Sequence, residues 1–304
     1  MRRHLLVLLA IAPTLIMACQ LTIAPPETPP PPVSPAGQMS PPDAASAAGA
    51  SGPYMRRLEE EVRAITAAAE GHYGVYARLL GTDFELTVAA DRPFFAASSY
   101  KIPLVLHLYE RALEGEIDLT ESIVLTDEHL APGAGILKEE KPGSHHRLDY
   151  LASLAIVYSD NTAAHMLLER LGLSRFKQYQ ADLGAESVPA DRNLASPRDI
   201  GLFLERLLTL HSRHPEHFSE VLVWMQASQP RDRIPAGLPA GVRVANKTGT
   251  WPGTFNDVAL IQSGDSTSIL VVMSEGVPSY GEGITVIARI AEVVYSELHT
   301  QAAD

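Results

Sequence analysis

The chain has 304 residues, of which 46% are hydrophobic and 20% are charged, and its formal net charge is -12 at pH 7. This acidic balance, with no basic stretch beyond Arg2 and Arg3, argues against nucleic-acid binding. The single cysteine, Cys19, excludes an intramolecular disulfide, so a hydrophobic core must stabilise the fold.

The first 18 residues are typical of a signal peptide. An apolar run over 5–16 is shorter than the roughly 20 residues that cross a bilayer. It ends in Ile-Met-Ala-Cys at 16–19, which resembles the bacterial lipoprotein cleavage box, with Cys19 as the lipidated first residue; an incidental cysteine is the alternative. Residues 19–53, rich in Pro, Ala and Ser, predict an extended tether. We therefore expect an extracytoplasmic protein anchored by lipid to a bacterial membrane.

Residues 54–304 are enough for one folded domain with two parts. The predicted elements are, in chain order, a helix at 56–69, strands at 73–77 and 84–89, mostly helices over 98–225, strands at 242–245, 257–262 and 268–273, and a helix at 283–298. Because both ends supply strands, the sheet is expected to combine the two chain ends, with the helical part inserted between them.

The first motif, Ser-Ser-Tyr-Lys at 98–101, opens a long apolar run. Pro103 fits the first turn of a helix, and the run is apolar on nearly every face, which predicts a buried helix. Ser98 and Lys101 are three residues apart, hence on one face near the positive end of the helix dipole. A serine beside a lysine whose pKa is lowered by burial is a nucleophile beside a base. Alone, the pattern is more often an ordinary solvated helix face.

Two further motifs follow along the chain. Ser-Asp-Asn at 159–161 lies between helical patterns at 148–157 and 162–173, where a plain helix N-cap is the simpler interpretation. Lys-Thr-Gly at 247–249 follows the strand pattern at 242–245 and is predicted on that strand or at its end. A glycine there lets a ligand approach the backbone closely, and a simple bulge or turn is the alternative.

In this order, the three motifs resemble the signature set of the class A serine β-lactamases and the related penicillin-binding proteins. The similarity extends through Thr-Ala-Ala at 162–164, Ala-Gly-Leu-Pro at 236–239 and Asp-Val-Ala at 257–259, and spans residue 54 to the C-terminus. It implies an α/β (α+β) fold of the β-lactamase/transpeptidase type. In that fold an antiparallel sheet built from both chain ends carries flanking helices and an inserted all-helical lobe, with the active site at the seam.

The resemblance also implies roles for single residues. Ser98 would attack the carbonyl of a β-lactam or an acyl-D-alanyl peptide, and Lys101 would accept its proton, directly or through water. Ser159 would relay a proton to the leaving nitrogen, and Lys247 would raise the local positive potential. The residues implied in substrate binding are Asn161 for the side-chain amide, Thr248 for the carboxylate, Gly249, and Thr250, whose N–H would form the oxyanion hole with that of Ser98.

Two departures from the class A pattern are evident. Those enzymes carry a Glu-x-x-Leu-Asn loop whose glutamate activates the deacylating water, whereas the segment 172–195 here lacks that string and is shorter than the usual loop. Glu186 and Asp191 are the acidic residues in its later part, and His165 replaces the asparagine that usually braces the loop. Fast deacylation is therefore in doubt.

The second departure concerns the arginine that many members place after the Lys-Thr-Gly strand to bind the substrate carboxylate. This chain has Asn256 there, and Arg233 is expected to substitute for it; an ordinary surface arginine is the alternative.

Three functions follow from these observations. A lipid-anchored β-lactam hydrolase is favoured by the complete second motif and by the chain length. The missing glutamate favours two other functions. One is an acyl-serine D,D-peptidase or esterase, or a slowly deacylating penicillin-binding enzyme. The other is a non-catalytic lipoprotein that is acylated but not turned over. We expect a monomer that needs no cofactor and no metal, since the histidines show no ligand spacing.

Overall fold

The computed structural model describes residues 53–300 of the chain, so the predicted signal peptide, Cys19 and almost all of the predicted tether lie outside the described residues. The helices are α1 (Pro53–Ala68), α2 (Lys101–Leu113), α3 (Leu148–Val157), α4 (Asn161–Leu171), α5 (Leu173–Asp182), α6 (Pro197–Arg213), α7 (Pro215–Ala227) and α8 (Tyr280–Thr300). The strands are β1 (His72–Leu79), β2 (Glu85–Val88), β3 (Phe94–Phe95), β4 (Ser122–Val124), β5 (His145–Arg147), β6 (Leu194–Ala195), β7 (Arg243–Trp251), β8 (Thr254–Ser263) and β9 (Ser266–Glu275).

The main sheet takes its strands from both ends of the folded part. Its order is β2-β1-β9-β8-β7, and every neighbouring pair is antiparallel. Val75 of β1 lies opposite Val272 of β9, so the N-terminal hairpin joins the C-terminal strands directly. This assembly confirms the predicted fold class, and it leaves β7, which carries the third motif, at an edge of the sheet.

The sheet separates two apolar cores because successive side chains of a strand point to opposite faces. Val75 and Val272 belong to the core that α1 and α8 cover. Tyr76 and Val271, one position along each strand, belong to the larger core of the helical lobe. Helix α2 lies within this second core, and its residues 101–110 are all buried, as the apolar run predicts.

Two local boundaries differ from the predicted ones. Ser98 lies in a 3₁₀ turn, Ala97–Tyr100, and the α-helix begins only at Lys101. A 3₁₀ turn places residues i and i+3 directly above one another, which keeps Ser98 over Lys101. The predicted helix at 162–173 ends at Leu171, because Gly172 interrupts it before α5 begins. Within residues 53–300, no helix combines the length and the apolar character needed to span a bilayer.

Candidate active site

The three predicted motifs meet at the start of α2. Lys101 Nζ lies 3.2 Å from Ser98 Oγ and 3.4 Å from Ser159 Oγ. From the edge strand β7, Lys247 Nζ donates to Ser159 Oγ at 2.9 Å. The structure therefore links the four predicted catalytic side chains in one chain of hydrogen-bond contacts, from a 3₁₀ turn, a helix, an interhelical turn and a strand.

The backbone that carries Ser98 is held in an unusual conformation. Ala97, directly before it, has a φ of 46°, in the left-handed region that residues with a Cβ rarely adopt. Asn193 Nδ2 donates to the carbonyl of Ala97 at 2.9 Å, and Asn256 Nδ2 donates to the carbonyl of Ala96 at 3.1 Å. These two amides, from a loop and from the sheet, hold the strained turn and fix the position of the nucleophile.

Lys101 is buried and is surrounded by acceptors. Its two short contacts are to the carbonyl oxygen of Ser159 at 2.6 Å and to Asn161 Oδ1 at 2.7 Å. A neutral amine has two N–H groups for these two oxygens and keeps its lone pair for the hydroxyl of Ser98. Burial lowers the pKa of Lys101 to about 7, while the charge of Asp160 raises it. A large fraction of Lys101 is therefore a free base near neutral pH.

Ser159 lies between two amines. Its φ is 54°, which marks a second strained position in the site. Lys247 Nζ donates to Ser159 Oγ and also to the carbonyl of Thr248 at 2.8 Å. Burial lowers the pKa of Lys247 well below its usual value, the nearby charge of Lys101 lowers it further, and Asp257 raises it. While Lys247 is charged it can only donate, so the proton of the Ser159 hydroxyl is free to be donated elsewhere.

Asp160, the middle residue of the second motif, anchors a neighbouring loop rather than facing the nucleophile. Its Oδ1 accepts the N–H of Ala163 at 2.9 Å, which confirms the helix N-cap interpretation for this residue. Its Oδ2 accepts the N–H groups of Ile136 and Leu137 at 2.7 and 2.8 Å. Gly135 must lack a side chain because a Cβ there would lie 2.3 Å from Asp160 Cγ. One buried carboxylate thus joins α4 to the loop that borders the cleft.

Asn161 links this loop to the base. Its Oδ1 accepts from Lys101, and its Nδ2 donates to the carbonyl of Pro132 at 2.8 Å. The amide orientation is therefore set by two different partners. The second hydrogen on Nδ2 is the one that could donate to a substrate amide, the role that the family resemblance implies.

Strand β7 passes very close to the nucleophile. A Cβ on Gly249 would lie 2.9 Å from the carbonyl oxygen of Ala96 and 3.2 Å from Ser98 N, so only glycine allows this approach. Thr248 precedes it and is almost fully buried in the unliganded site. Thr250 follows it, on an edge strand whose outer backbone groups have no neighbouring strand. The predicted substrate-binding residues of β7 therefore lie directly beside Ser98.

Arg233 is not a surface arginine, because its side chain is completely buried. One guanidinium nitrogen donates to the carbonyls of Gly249 and Asn256 at 3.0 and 2.5 Å, and the other donates to Thr250 Oγ1 at 2.6 Å. Arginine only donates, so the hydroxyl of Thr250 accepts this bond and keeps its own proton available. Arg233 lies behind Thr250, and any action on a substrate carboxylate would pass through that hydroxyl.

The segment that follows α5 holds no carboxylate against Ser98. Glu186 is exposed, and its contact with Asp199 is made by its backbone N–H. The Asp191 side chain is 81% exposed and lies 3.8 Å from Arg192. His165 is also exposed, and its Nδ1 lies 3.3 Å from the carbonyl of His129, so it does not brace the segment that follows α5.

Sequence reasoning missed two supports of the site. Asn193 follows no recognisable motif, and its contact with the turn of Ser98 depends on tertiary structure alone. Asp257 was noted only as part of a matching string, yet it is a buried carboxylate that accepts from Asn246 Nδ2 at 2.9 Å and from Ile234 N at 3.0 Å. Burial raises its pKa to about 6, although these hydrogen bonds lower it. No group of three or more metal-ligating side chains occurs within residues 53–300.

Comparison with known proteins gives a consistent assignment. The family model described as "Beta-lactamase enzyme family" matches residues 57–298. A relative described as a beta-lactamase of Mycobacterium tuberculosis is 27% identical over 228 residues, which cover 68% of this chain and 73% of the relative.

Solved structures with the same fold include both enzymes and penicillin-binding proteins. A beta-lactamase from Sphaerobacter thermophilus is 31% identical with a TM-score of 0.71, over 78% of this chain and 96% of that one. The structure of PBP-A is 25% identical with a TM-score of 0.76, over 80% of this chain and 96% of that one. A mutant of PBP-A, described as an acyl-enzyme complex with penicillin-G, superposes with a TM-score of 0.75 at 25% identity, over 81% and 97%.

Proposed function

The chain belongs to the Beta-lactamase enzyme family and is a serine hydrolase of the β-lactamase type, and on this premise we propose that Ser98 opens the β-lactam ring and carries the resulting acyl group. The observation that carries this proposal is the contact of Lys101 Nζ with Ser98 Oγ. The carbonyl oxygen of Ser159 and Asn161 Oδ1 accept the two hydrogens of the neutral amine, so its lone pair is left for the Ser98 hydroxyl.

Acylation begins when Lys101 accepts the proton of the Ser98 hydroxyl. The bond from Ser98 Oγ to the ring carbonyl carbon forms, and the carbonyl oxygen becomes negative. Ser98 lies in the first turn of a helical segment, where N–H groups have no intrahelical acceptor, and the outer side of β7 is unpaired. The N–H groups of Ser98 and Thr250 are the donors we assign to this oxygen; losing one such donor costs about 3 kcal/mol of transition-state stabilisation.

The ring C–N bond then breaks, and its nitrogen takes a proton from the hydroxyl of Ser159. That hydroxyl regains a proton from the amines on either side of it, since Lys101 and Lys247 both contact Ser159 Oγ. The substrate carboxylate lies toward Lys247 and accepts from the hydroxyls of Thr248 and Thr250. Arg233 supports this end of the site through its bond to Thr250 Oγ1.

Hydrolysis of the acyl-enzyme is the slower step in our proposal. Water must attack the ester carbon and return a proton to Ser98 Oγ, and the two acidic residues of the segment after α5 are both exposed. The same observation favours a second candidate function, a penicillin-binding enzyme that keeps its acyl group for a long time. The likeness to the PBP-A acyl-enzyme complex also supports this second candidate.

The proposal is tested by intact-mass spectrometry after mixing the protein with benzylpenicillin. We expect a covalent adduct that appears quickly and decays slowly with release of product. Ser98→Ala should abolish the adduct. Ser99→Ala is the matched control, because the hydroxyl of this neighbouring serine donates to the carbonyl of Ala96 at 2.6 Å rather than to the amine of Lys101. An adduct that persists in Ser98→Ala, or no adduct in the unmodified protein, contradicts the proposal.

We also propose that the protein is a monomer held outside the cytoplasm by a lipid on Cys19. The support is the sequence of the first 53 residues, which combines a signal-like segment, a cysteine at its end and a Pro-rich tether. Growth with a labelled fatty acid should label the full-length chain, and Cys19→Ser should remove the label and release the protein from the membrane fraction. Label retained in Cys19→Ser contradicts lipidation at this residue, and a dimer mass for the detergent-solubilised protein contradicts the monomer.

A further inference from the structure

A large exposed aromatic side chain stands at one end of the site. Trp251 is 60% exposed, the highest value among the exposed large hydrophobic side chains of the described residues. It is the last residue of β7 and directly follows Thr250. Single exposed apolar residues are common and carry no inference by themselves, so the direction of this side chain decides its meaning.

Strand alternation places Trp251 on the side of β7 that faces the nucleophile. Residues 247, 249 and 251 share one face, since side chains alternate along a strand. Lys247 reaches Ser159 on this face, and a Cβ on Gly249 would meet the turn that carries Ser98, 2.9 Å from the carbonyl oxygen of Ala96 and 3.2 Å from Ser98 N. Trp251 therefore projects on the same side as the turn that carries Ser98, about 7 Å further along the strand than Gly249.

The indole of Trp251 packs against a neighbouring aromatic ring. The rings of Trp251 and Phe95 make an edge contact, with centroids 5.7 Å apart and planes at 60°. Phe95 belongs to β3, which pairs with β6, and its carbonyl accepts from Asn256 Nδ2 at 2.9 Å. We call Trp251 and Phe95 together the aromatic ledge.

The direction of the substrate along β7 follows from the chemistry of the site. The leaving nitrogen must lie near Ser159 and Lys247, and the attacked carbonyl must lie near Ser98 and Thr250. The acyl side chain on that carbonyl then continues in the opposite direction from the leaving group. Along β7 this direction leads from Lys247 past Thr250 to Trp251.

We propose that the aromatic ledge binds the acyl side chain of the substrate, and that the enzyme selects aryl-acetamido substrates over alkyl-acylated ones. This inference rests on the proposed acyl transfer through Ser98. An aromatic ring prefers edge or offset contact with another ring, and such a contact is worth about a fivefold change in a rate or affinity. An alkyl group of similar polarity lacks this contact.

The test compares benzylpenicillin with its analogue that carries an acetyl group in place of the phenylacetyl group. The ratio of their second-order acylation rate constants, measured by mass spectrometry, is the selectivity. Trp251→Ala should lower the selectivity about fivefold, whereas Trp251→Phe should retain most of it. Val124→Ala is the matched control, because this exposed apolar residue lies on β4, outside the main sheet, and should leave the ratio unchanged.

Fluorescence gives an independent readout. The chain has two tryptophans, and Trp224 packs against Tyr109 inside the helical lobe, so Trp224→Phe leaves Trp251 as the single emitter. Its emission should change on acylation by benzylpenicillin and change less with the acetyl analogue.

Two results would contradict the proposed role of the aromatic ledge while leaving acyl transfer intact. One is equal selectivity in the unmodified protein and in Trp251→Ala. The other is a Trp251 emission that does not respond to the aryl group. Absence of any adduct with both compounds in the unmodified protein overturns the proposed function itself, and the ledge with it.

Discussion

Two neighbouring regions of the molecule differ sharply in how many of the groups needed for catalysis they supply. The first, which we call the acylation centre, comprises Ser98, Lys101, Ser159 and Lys247, whose side chains are joined by hydrogen bonds of 2.9 to 3.4 Å. The second is the segment 183–195, between α5 and the end of β6. Its acidic side chains, Glu186 and Asp191, are exposed, and none of its side chains bonds to the acylation centre.

The difference separates two halves of one reaction. Forming an acyl-enzyme requires a base, a proton donor and an oxyanion site, all of which the acylation centre can supply. Releasing the acyl group requires a base that activates water, and both carboxylates of the segment 183–195 are exposed. The buried carboxylate that contacts this segment, Asp199 of α6, already accepts the N–H groups of Glu186 and Ser187. On the proposed function we therefore expect acylation to be faster than hydrolysis, and each prediction below tests one side of this contrast.

The largest expected effect comes from removing the base. Lys101→Met keeps a long apolar stem in the buried site but deletes the amine that contacts Ser98 and Ser159. General-base catalysis contributes about 10²–10⁴-fold, so we expect the acylation rate constant to fall by about 10³-fold. Stopped-flow measurement with a chromogenic β-lactam gives this constant directly.

The same substitution should not unfold the protein, because methionine keeps the apolar packing of the buried lysine stem. Thermal unfolding of Lys101→Met provides the control. A folded variant that acylates within tenfold of the unmodified rate would show that another group deprotonates Ser98.

A pH profile tests the same centre with a smaller expected effect. Lys101 must be neutral to act, and burial lowers its pKa to about 7. The neutral fraction rises with pH through this value, so acylation should be about tenfold faster at pH 8 than at pH 6 and then level off. Circular dichroism over the same range separates this effect from unfolding. A rate that falls as pH rises from 6 to 8 contradicts a neutral lysine as the base.

The acylation centre was predictable from the sequence because its residues lie in short motifs whose local structure is nearly fixed. Ser98 and Lys101 are neighbours through one helical turn, and Lys247 lies on a strand with a clear alternating pattern. Their convergence, however, depends on the β7 edge packing against the turn of Ser98. The family resemblance implied that arrangement, whereas spacing alone left a solvated helix face and a simple turn as alternatives.

The supports of the site were not predictable, since they join residues that are distant in sequence. Asn193 bonds to the carbonyl of Ala97 across 96 positions, and Asn256 bonds to the carbonyl of Ala96 across 160 positions. The 3₁₀ turn at Ser98 was also missed, because the residues at 98–101 fit the first turn of an α-helix as well as a 3₁₀ turn. Such contacts are set by tertiary packing, which a one-dimensional pattern does not record.

Asn193 belongs to the segment 183–195 and bonds to Ala97, the residue before Ser98, so its removal tests how far the two regions are independent. Its Nδ2 donates to the carbonyl of Ala97, and its own carbonyl accepts the N–H of Ala96 at 2.9 Å. Asn193→Ala deletes only the side-chain bond, which is worth about 1 kcal/mol, and we expect acylation to slow about fivefold as the strained turn relaxes. Arg192→Ala is the matched control, since that side chain is 67% exposed. Equal rates for the two variants would mean that the sheet alone holds the turn.

The smallest expected effect comes from a test of whether the segment 183–195 supplies a catalytic base. Glu186→Gln and Asp191→Asn, alone and together, should leave the deacylation rate within about twofold of the unmodified protein, because general-base assistance worth 10²-fold or more requires a group within reach of the attacking water. Decay of the benzylpenicillin adduct, followed by intact mass, measures this rate. A tenfold slowing in either variant would place the deacylating base in the segment 183–195. The contrast between the acylation centre and this segment would then be wrong. Unchanged decay in both variants would show that no carboxylate of this segment activates the water that hydrolyses the acyl-enzyme.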